Sequence, residues 1–253
     1  MRITSHAVSA SGSRSYNQDA FGDQELPAGR CLVVADGAGG HLGGDRASRL
    51  VIDAVMLHLA AAPAWSPEVL VAAVDAASAA VRRAQIADER LKQMSSTVVV
   101  LCIDAAGSVA HWSHLGDSRI LLFRRGAAHQ LTRDHSVVQS LTDAGLLSES
   151  SSARSVDRTM LYAAVGAEGD TRPVGGAGMR LEDGDVFLLC TDGIWDSVGA
   201  AQMGALLAFC ASVDEWIESI GNEVRAAAKH NQDNYTALGV WIGDPDQITV
   251  TKV

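Results

Sequence analysis

Four aspartate-centred segments, scattered along the chain, each sit where a predicted strand runs out. They are Asn17-Gln18-Asp19, Ala35-Asp36-Gly37-Ala38-Gly39-Gly40-His41, Leu115-Gly116-Asp117-Ser118-Arg119 and Cys190-Thr191-Asp192-Gly193, and Asp233-Asn234-Tyr235-Thr236 makes a fifth beside them. An Asp-Gly pair is commonly no more than a turn, and Asp183-Gly184 reads that way. Asp36-Gly37 and Asp192-Gly193 differ, because each follows a fully apolar run. Carboxylates on neighbouring strand ends of one sheet system converge on a single rim. Such a rim repels itself unless cations are supplied, and hard oxygen ligands select Mg²⁺ or Mn²⁺.

The apolar pattern says what carries this rim. Cys31–Ala35, Thr97–Ile103, Val186–Cys190 and Ala237–Ile242 are continuous apolar or β-branched runs, which read as strands buried on both faces. Val109–Leu115 and Ile120–Phe123 flank Gly116–Arg119 and predict a hairpin. Gln247–Lys252 alternates and predicts a terminal edge strand. Apolar residues recur at helical spacing from Ala47 to Leu59. They recur again after Ser66-Pro67, an N-cap followed by proline at the first helical position. A second helical pair is expected over Ala200–Cys210 and Val213–Lys229. Helices segregated in pairs do not suit a doubly wound parallel sheet. They predict an α+β layered fold, with helix pairs covering the outer faces of packed sheets. No linker or repeat interrupts residues 1–253, so one domain is expected. The serine-rich stretch Ser148–Ser155 reads as a mobile surface loop, a flap near the site or a plain connector.

Composition narrows the partners. With 47 % apolar residues the chain can bury a core, and a formal net charge of −10 argues against nucleic acid or an anionic membrane as the main partner. Cys31, Cys102, Cys190 and Cys210 show no CxxC spacing and read as free thiols in a reducing compartment. No apolar run reaches the roughly 20 residues needed to span a bilayer, and the N-terminal residues lack a signal-type apolar stretch. A cytoplasmic protein without membrane insertion is expected. Several chemistries drop out on pattern. The glycine loop after Asp36 fails GxGxxG at Leu42 and is not followed by Gly-Lys-Ser/Thr. There is no GxSxG elbow and no cysteine with the arginine spacing of cysteine-dependent phosphatases. His111 and His114 have opposite parity on a strand, so they cannot chelate together.

Arg14–Asp19, Val34–His41, Gly116–Arg119, Leu131-Thr132-Arg133-Asp134-His135-Ser136, Cys190–Asp196 and Asp233–Thr236 together resemble the ordered motif set of the metal-dependent Ser/Thr protein phosphatases, the PP2C (PPM) family. The resemblance runs from about Arg14 to Ile242 and is to the stand-alone bacterial type. It implies a four-layer α-β-β-α sandwich, two packed antiparallel sheets flanked by helix pairs, and a protein-serine/threonine phosphatase that uses a metal-activated water. By resemblance Asp36 bridges two Mn²⁺ or Mg²⁺ ions, and the Gly37 carbonyl binds one of them. Asp192 and Asp233 complete the second ion's protein ligands, and Asp19 acts mainly through water. Asp117, with Asp192, holds a third and weaker ion. Arg14 grips the substrate phosphate and Asn234 orients its neighbouring aspartate. The implied partners are phosphorylated proteins and a Ser/Thr kinase acting on them, with the phosphatase itself a monomer. Two rival readings are a pseudophosphatase binding module and a metal-dependent hydrolase of small phosphoesters. Retention of all five aspartates argues against the first.

Departures from the family pattern are specific. Gln18 stands where many relatives carry Glu. Ala38 stands where eukaryotic relatives carry a histidine proposed as general acid. His41 is a candidate for that acid or for a supporting contact behind the ligands, with loop packing as the alternative. Ser95-Ser96-Thr97 replaces Gly-Thr-Thr, and Leu161–Gly166 lacks the arginine often found there.

Overall fold

The computed structural model describes residues 1–39, 43–147, 160–167, 172–227 and 231–243. His41, the Ser148–Ser155 stretch and the expected Gln247–Lys252 strand lie outside them. In chain order the strands are β1 (Ile3–Ala10), β2 (Asp19–Leu26), β3 (Gly29–Ala38), β4 (Ser95–Ser96), β5 (Val98–Asp104), β6 (Val109–Leu115), β7 (Arg119–Arg124), β8 (Ala127–Gln130), β9 (Val174–Arg180), β10 (Val186–Cys190) and β11 (Tyr235–Ile242). The helices are α1 (Gly44–Ala60), α2 (Pro67–Ala87), α3 (Val137–Asp143), α4 (Asp192–Trp195), α5 (Ala200–Leu207) and α6 (Val213–Ala227).

One sheet has the order β1-β11-β10-β7-β8, and the other β2-β3-β5-β6-β9 with β4 added beside β3. All pairings within them are antiparallel. Residue parity explains why the central strands are apolar throughout. Leu32, Val34, Val99, Leu101, Ile103, Ile120, Leu122, Phe187, Leu189, Leu238, Val240 and Ile242 point between the sheets and form the inner layer. Their neighbours Cys31, Val33, Ala35, Val98, Val100 and Cys102 face α1 and α2. On the far side Leu121, Phe123, Val186, Leu188 and Cys190 face α5 and α6. Strands covered on both faces need apolar residues at every position, and the four-layer sandwich follows. Trp216 anchors α6: its ring meets Phe123 edge-on at 5.2 Å and its indole N–H donates to the Met203 carbonyl at 2.9 Å.

The helices begin near the expected positions. Ser66 caps α2 by accepting from the Val69 N–H, with Pro67 in the first turn. Three strands carry little apolar signal. β1 and β2 are half-buried edge strands. β9 reads VGGAGMR, and its glycines serve packing, since a side chain at Gly176 would collide with the Trp112 ring.

The expected hairpin across Gly116–Arg119 does not form. β6 pairs with β5 and β9, whereas β7 pairs with β10 and β8. Residues 116–118 therefore carry the chain from one sheet to the other. Gly116 makes this possible at φ +111°, where a Cβ would stand 2.7 Å from the Thr97 side chain. The crossing delivers Asp117 to the rim between the sheets. The four buried or half-buried cysteines are free, and no helix among the described residues is long and apolar enough to cross a membrane.

Gly116→Ala is expected to lower the urea midpoint with an unchanged m-value, at a cost of about 2–4 kcal/mol from the left-handed backbone and the Thr97 contact together. Gly126, at φ +77° with open space around it, is the control. Its alanine variant should lose only the backbone part, about 1–2 kcal/mol. Equal losses would mean that Thr97 yields and the crossing is not sterically fixed.

Candidate metal centre

The inner-face rows of the strands end at one rim, and they end in polar residues. On β3 the row Leu32, Val34 continues to Asp36. Its directly opposite partner on β2 is Asp19. Residues so paired have Cβ atoms about 4.5–5.5 Å apart, and like charges there repel. Asp192 follows β10 in the short helix α4, Asp233 precedes β11, and Asp117 sits on the crossing between sheets. Asp36, Gly37, Asp117, Asp192, Asp233 and Arg14 line one open cavity of about 620 Å³. Asp19 lies behind this lining.

Each carboxylate is held by a specific frame. The Asp36 N–H donates to Thr97 Oγ1 at 3.0 Å, and its carbonyl accepts from the Thr97 N–H and from Ser96 Oγ, both at 2.8 Å. Thr97 Oγ1 in turn meets Ser118 Oγ at 2.6 Å, which ties Asp36 to the segment carrying Asp117. The Asp117 carbonyl accepts from Trp195 Nε1 at 3.1 Å. Arg119 stacks on that indole, 3.7 Å from the ring centroid, and forks onto Asp134. The Gly116 N–H donates to His135 Nδ1 at 3.0 Å, and the His135 ring stacks on His114 at 4.8 Å. Asp19 Oδ2 accepts from Thr191 at 3.0 Å and from Thr236 at 2.8 Å.

Two arginines reach this region and differ in availability. Arg119 is mostly buried and bound bidentately to buried Asp134, so it is fixed. Arg14 pairs with Asp233 at 2.9 Å, but their side chains are 60 % and 44 % exposed. An exposed ion pair is worth about 0–1 kcal/mol, so the Arg14 guanidinium can leave Asp233 for a stronger anion. The Asn234 amide clamps the Arg14 loop. It donates to the Ser11 and Tyr16 carbonyls and accepts from the Gln18 N–H. Asn234 also orients Asp233, though through its backbone N–H at 2.8 Å rather than its side chain. Gln18 packs its amide against Gly44, where a side chain would collide with it.

The cluster is short of positive charge. Burial, reinforced by neighbouring carboxylates, raises Asp19 to about 7, Asp117 to about 8 and Asp192 to about 6. Burial also raises Asp36 well above the carboxylate range, with Asp19 as its leading charged neighbour. Asp19 Oδ1 and Asp192 Oδ1 are buried with no hydrogen-bond partner. These residues fit divalent cations on the chemistry of the donor set. Among the described residues no group of three carboxylates closes round a single point. Thr97, Thr191, Thr236, Ser118 and Trp195 were not singled out from the sequence. Parity on β10 and β11 is the signal that finds the two rim threonines, since each continues an inner-face row.

The chain and its fold are similar to known proteins. The family model described as Protein phosphatase 2C matches residues 8–232. Protein phosphatase PhpP of Streptococcus pneumoniae is 28 % identical over 200 residues, covering 75 % of this chain and 78 % of its own. The S. agalactiae serine/threonine phosphatase superposes with a TM-score of 0.86 at 25 % identity, over 95 % of this chain and 100 % of that one. The catalytic domain of serine threonine protein phosphatase PstP, solved with 2 manganese ions, gives 0.82 at 28 % identity, over 96 % and 99 %.

The raised carboxylates give a signed pH dependence. The folded chain holds protons that the unfolded chain releases near pH 4, so stability falls as pH rises through about 6, 7 and 8, where Asp192, Asp19 and Asp117 give theirs up. In EDTA the Tm should therefore be lower at about pH 8.5 than at about pH 5.5, and Mn²⁺ should raise it more at the higher pH. Asp36→Asn should raise the Tm in EDTA at the higher pH, by about 2–4 °C for each kcal/mol of repulsion relieved. A Tm in EDTA that is flat with pH and indifferent to Asp36→Asn would show that the cluster is not charge-frustrated.

Proposed function

Because this chain belongs to the protein phosphatase 2C family, we propose that it is a protein-serine/threonine phosphatase working from this rim. The observation that carries the reading is the convergence of Asp19, Asp36, Asp117, Asp192 and Asp233, two with orphaned oxygens, beside a releasable guanidinium. Asp36, the Gly37 carbonyl, Asp192 and Asp233 would hold two Mn²⁺ or Mg²⁺ ions, Asp19 would act through water, and Asp117 with Asp192 would hold a third, weaker ion. When bound, the cations supply an acidified water and positive charge for the phosphoryl oxygens.

The chain's own residues do the rest. Arg14 leaves Asp233 and donates to two phosphoryl oxygens, where a charge-assisted fork exceeds an exposed carboxylate pair in strength. Ser96, Thr97 and Ser118 hold Asp36 and Asp117 at a fixed separation, so little reorganisation accompanies attack. Water adds to phosphorus as the P–O bond to the serine or threonine oxygen breaks, and that oxygen takes a proton. His41 is the candidate donor. Leu161 and Ala164 border the cavity on its apolar side. The phosphatase is one domain over residues 1–253. It acts as a cytoplasmic monomer on phosphoproteins and opposes a Ser/Thr kinase.

Phosphate release from a phosphothreonine peptide tests this. Turnover should require Mn²⁺ or Mg²⁺, stop in EDTA and be lost in Asp192→Ala. Arg14→Ala should raise KM about tenfold with a smaller effect on kcat, as expected when a ground-state phosphate contact is removed. Folded wild-type protein without turnover in either metal would overturn the assignment and leave a binding role.

A further inference from the structure

The two threonines on Asp19 belong to a larger hydrogen-bonded circuit whose polarity can be worked out atom by atom. Asn17 Oδ1 accepts from the Asp19 N–H at 3.1 Å, which fixes the orientation of the Asn17 amide. Asn17 Nδ2 can then only donate, and it donates to Ser9 Oγ at 2.8 Å. At the other end Thr236 Oγ1 donates its single proton to the Asp19 carboxylate at 2.8 Å. The Ser9–Thr236 contact, also 2.8 Å, must therefore run from Ser9 to Thr236. A second arm converges on the same oxygen. Thr191 Oγ1 accepts from the Thr236 N–H at 2.9 Å and donates to Asp19 Oδ2 at 3.0 Å. Each hydroxyl in the circuit donates in one direction, and both arms end as donors on Oδ2.

Its origin lies in the sandwich. Ser9 and Thr236 are direct partners on β1 and β11, and Thr191 caps the inner row of β10. Asp19 belongs to the opposite sheet. Thr191 and Thr236 are fully buried, so the hydroxyls have no water to choose instead. Two buried donors occupy Asp19 Oδ2, and Oδ1 is left buried and unpartnered. We propose that Thr191 and Thr236 are positioning residues that lock the Asp19 carboxylate in one rotamer and dedicate Oδ1 to the hydration shell of a bound divalent cation. Ser9 and Asn17 hold Thr236 in the donating orientation. The proposal rests on the metal-dependent phosphatase reading and adds to it the residues that set Asp19's geometry.

The test measures Mn²⁺ binding, counted by the free-ion EPR signal, alongside phosphopeptide turnover, for Thr191→Val, Thr236→Val, both serine variants and Asp19→Asn. Valine keeps the shape and removes the hydroxyl, and supporting partners of this kind are typically worth about 10–100-fold in metal affinity. The expected result is weaker Mn²⁺ binding in each valine variant, an unchanged KM for peptide at saturating metal, and recovery in the serine variants. In an Asp19→Asn background the valine changes should add little, because their effect passes through that carboxylate. Should either valine variant be insoluble, Ser9→Ala gives the same readout through Thr236, with a smaller loss expected. Wild-type affinity in the valine variants overturns the proposal, and so do losses of equal size with and without the Asp19 carboxylate. Wild-type protein that binds Mn²⁺ but releases no phosphate overturns the functional reading alone. Wild-type protein that binds no Mn²⁺ overturns both.

Discussion

Asp19 and Asp36 stand directly across an antiparallel pair with side chains on the same face, an arrangement that local sheet energetics reject. It persists because neither strand can shift. A one-residue slip of β3 would turn Leu32 and Val34 out of the inner layer and Cys31, Val33 and Ala35 into it, exchanging every contact on both faces. The inner layer thus fixes the register, and the register fixes the repulsion. Relief comes from bound protons at low pH and from an added cation above it, because the arginines nearby are committed elsewhere or only loosely held.

The carboxylates come from both sheets. Asp19 and Asp36 belong to one, Asp192 and Asp233 flank strands of the other, and Asp117 rides the crossing. The spacing between their oxygens is therefore a property of how two sheets lie on each other. Phe187, Leu189, Leu238 and Val240 pack across that interface with no exposure to solvent beyond about a hundredth of their surface. Close-packed interiors transmit displacement with little loss. A substitution in the inner layer, far from the rim, acts on the site through the same spacing.

Much of this was legible in the amino-acid order. Continuous apolar runs announced the doubly covered strands, Ser66-Pro67 announced α2, and the aspartates announced a rim. β1, β2 and β9 escaped because edge strands and glycine-rich strands bury too little to show a pattern. Gly116–Arg119 read as a hairpin because two strands joined by a glycine turn look alike whether they share a sheet or not. Only the pairing partners of β6 and β7 distinguish the cases, and those are distant in sequence. Asp36 is an inner-face residue two positions inside β3, and Asp19 begins its strand, so neither sits at a strand end in the way the pattern suggested. The threonines were hidden for another reason. Parity puts Thr191 and Thr236 on inner-face rows, but their role comes from the sheet packing that sets them against Asp19, which no local spacing carries.

Ser9 and Thr236 touch across 227 positions of chain, and Asn234 clamps the loop of Arg14 across a comparable span. During synthesis the first strand therefore lacks its only sheet partner among the described strands until β11 leaves the ribosome. At about 5–20 residues per second that wait is roughly 10–50 s. Throughout it β1 offers unpaired amides and the carboxylates lack half of their frame. The rim closes in the same event that closes the sheet, so a nascent or truncated chain short of β11 has no partly built site. For a protein that would erase phosphoryl marks, this makes activity wait on the synthesis of β11.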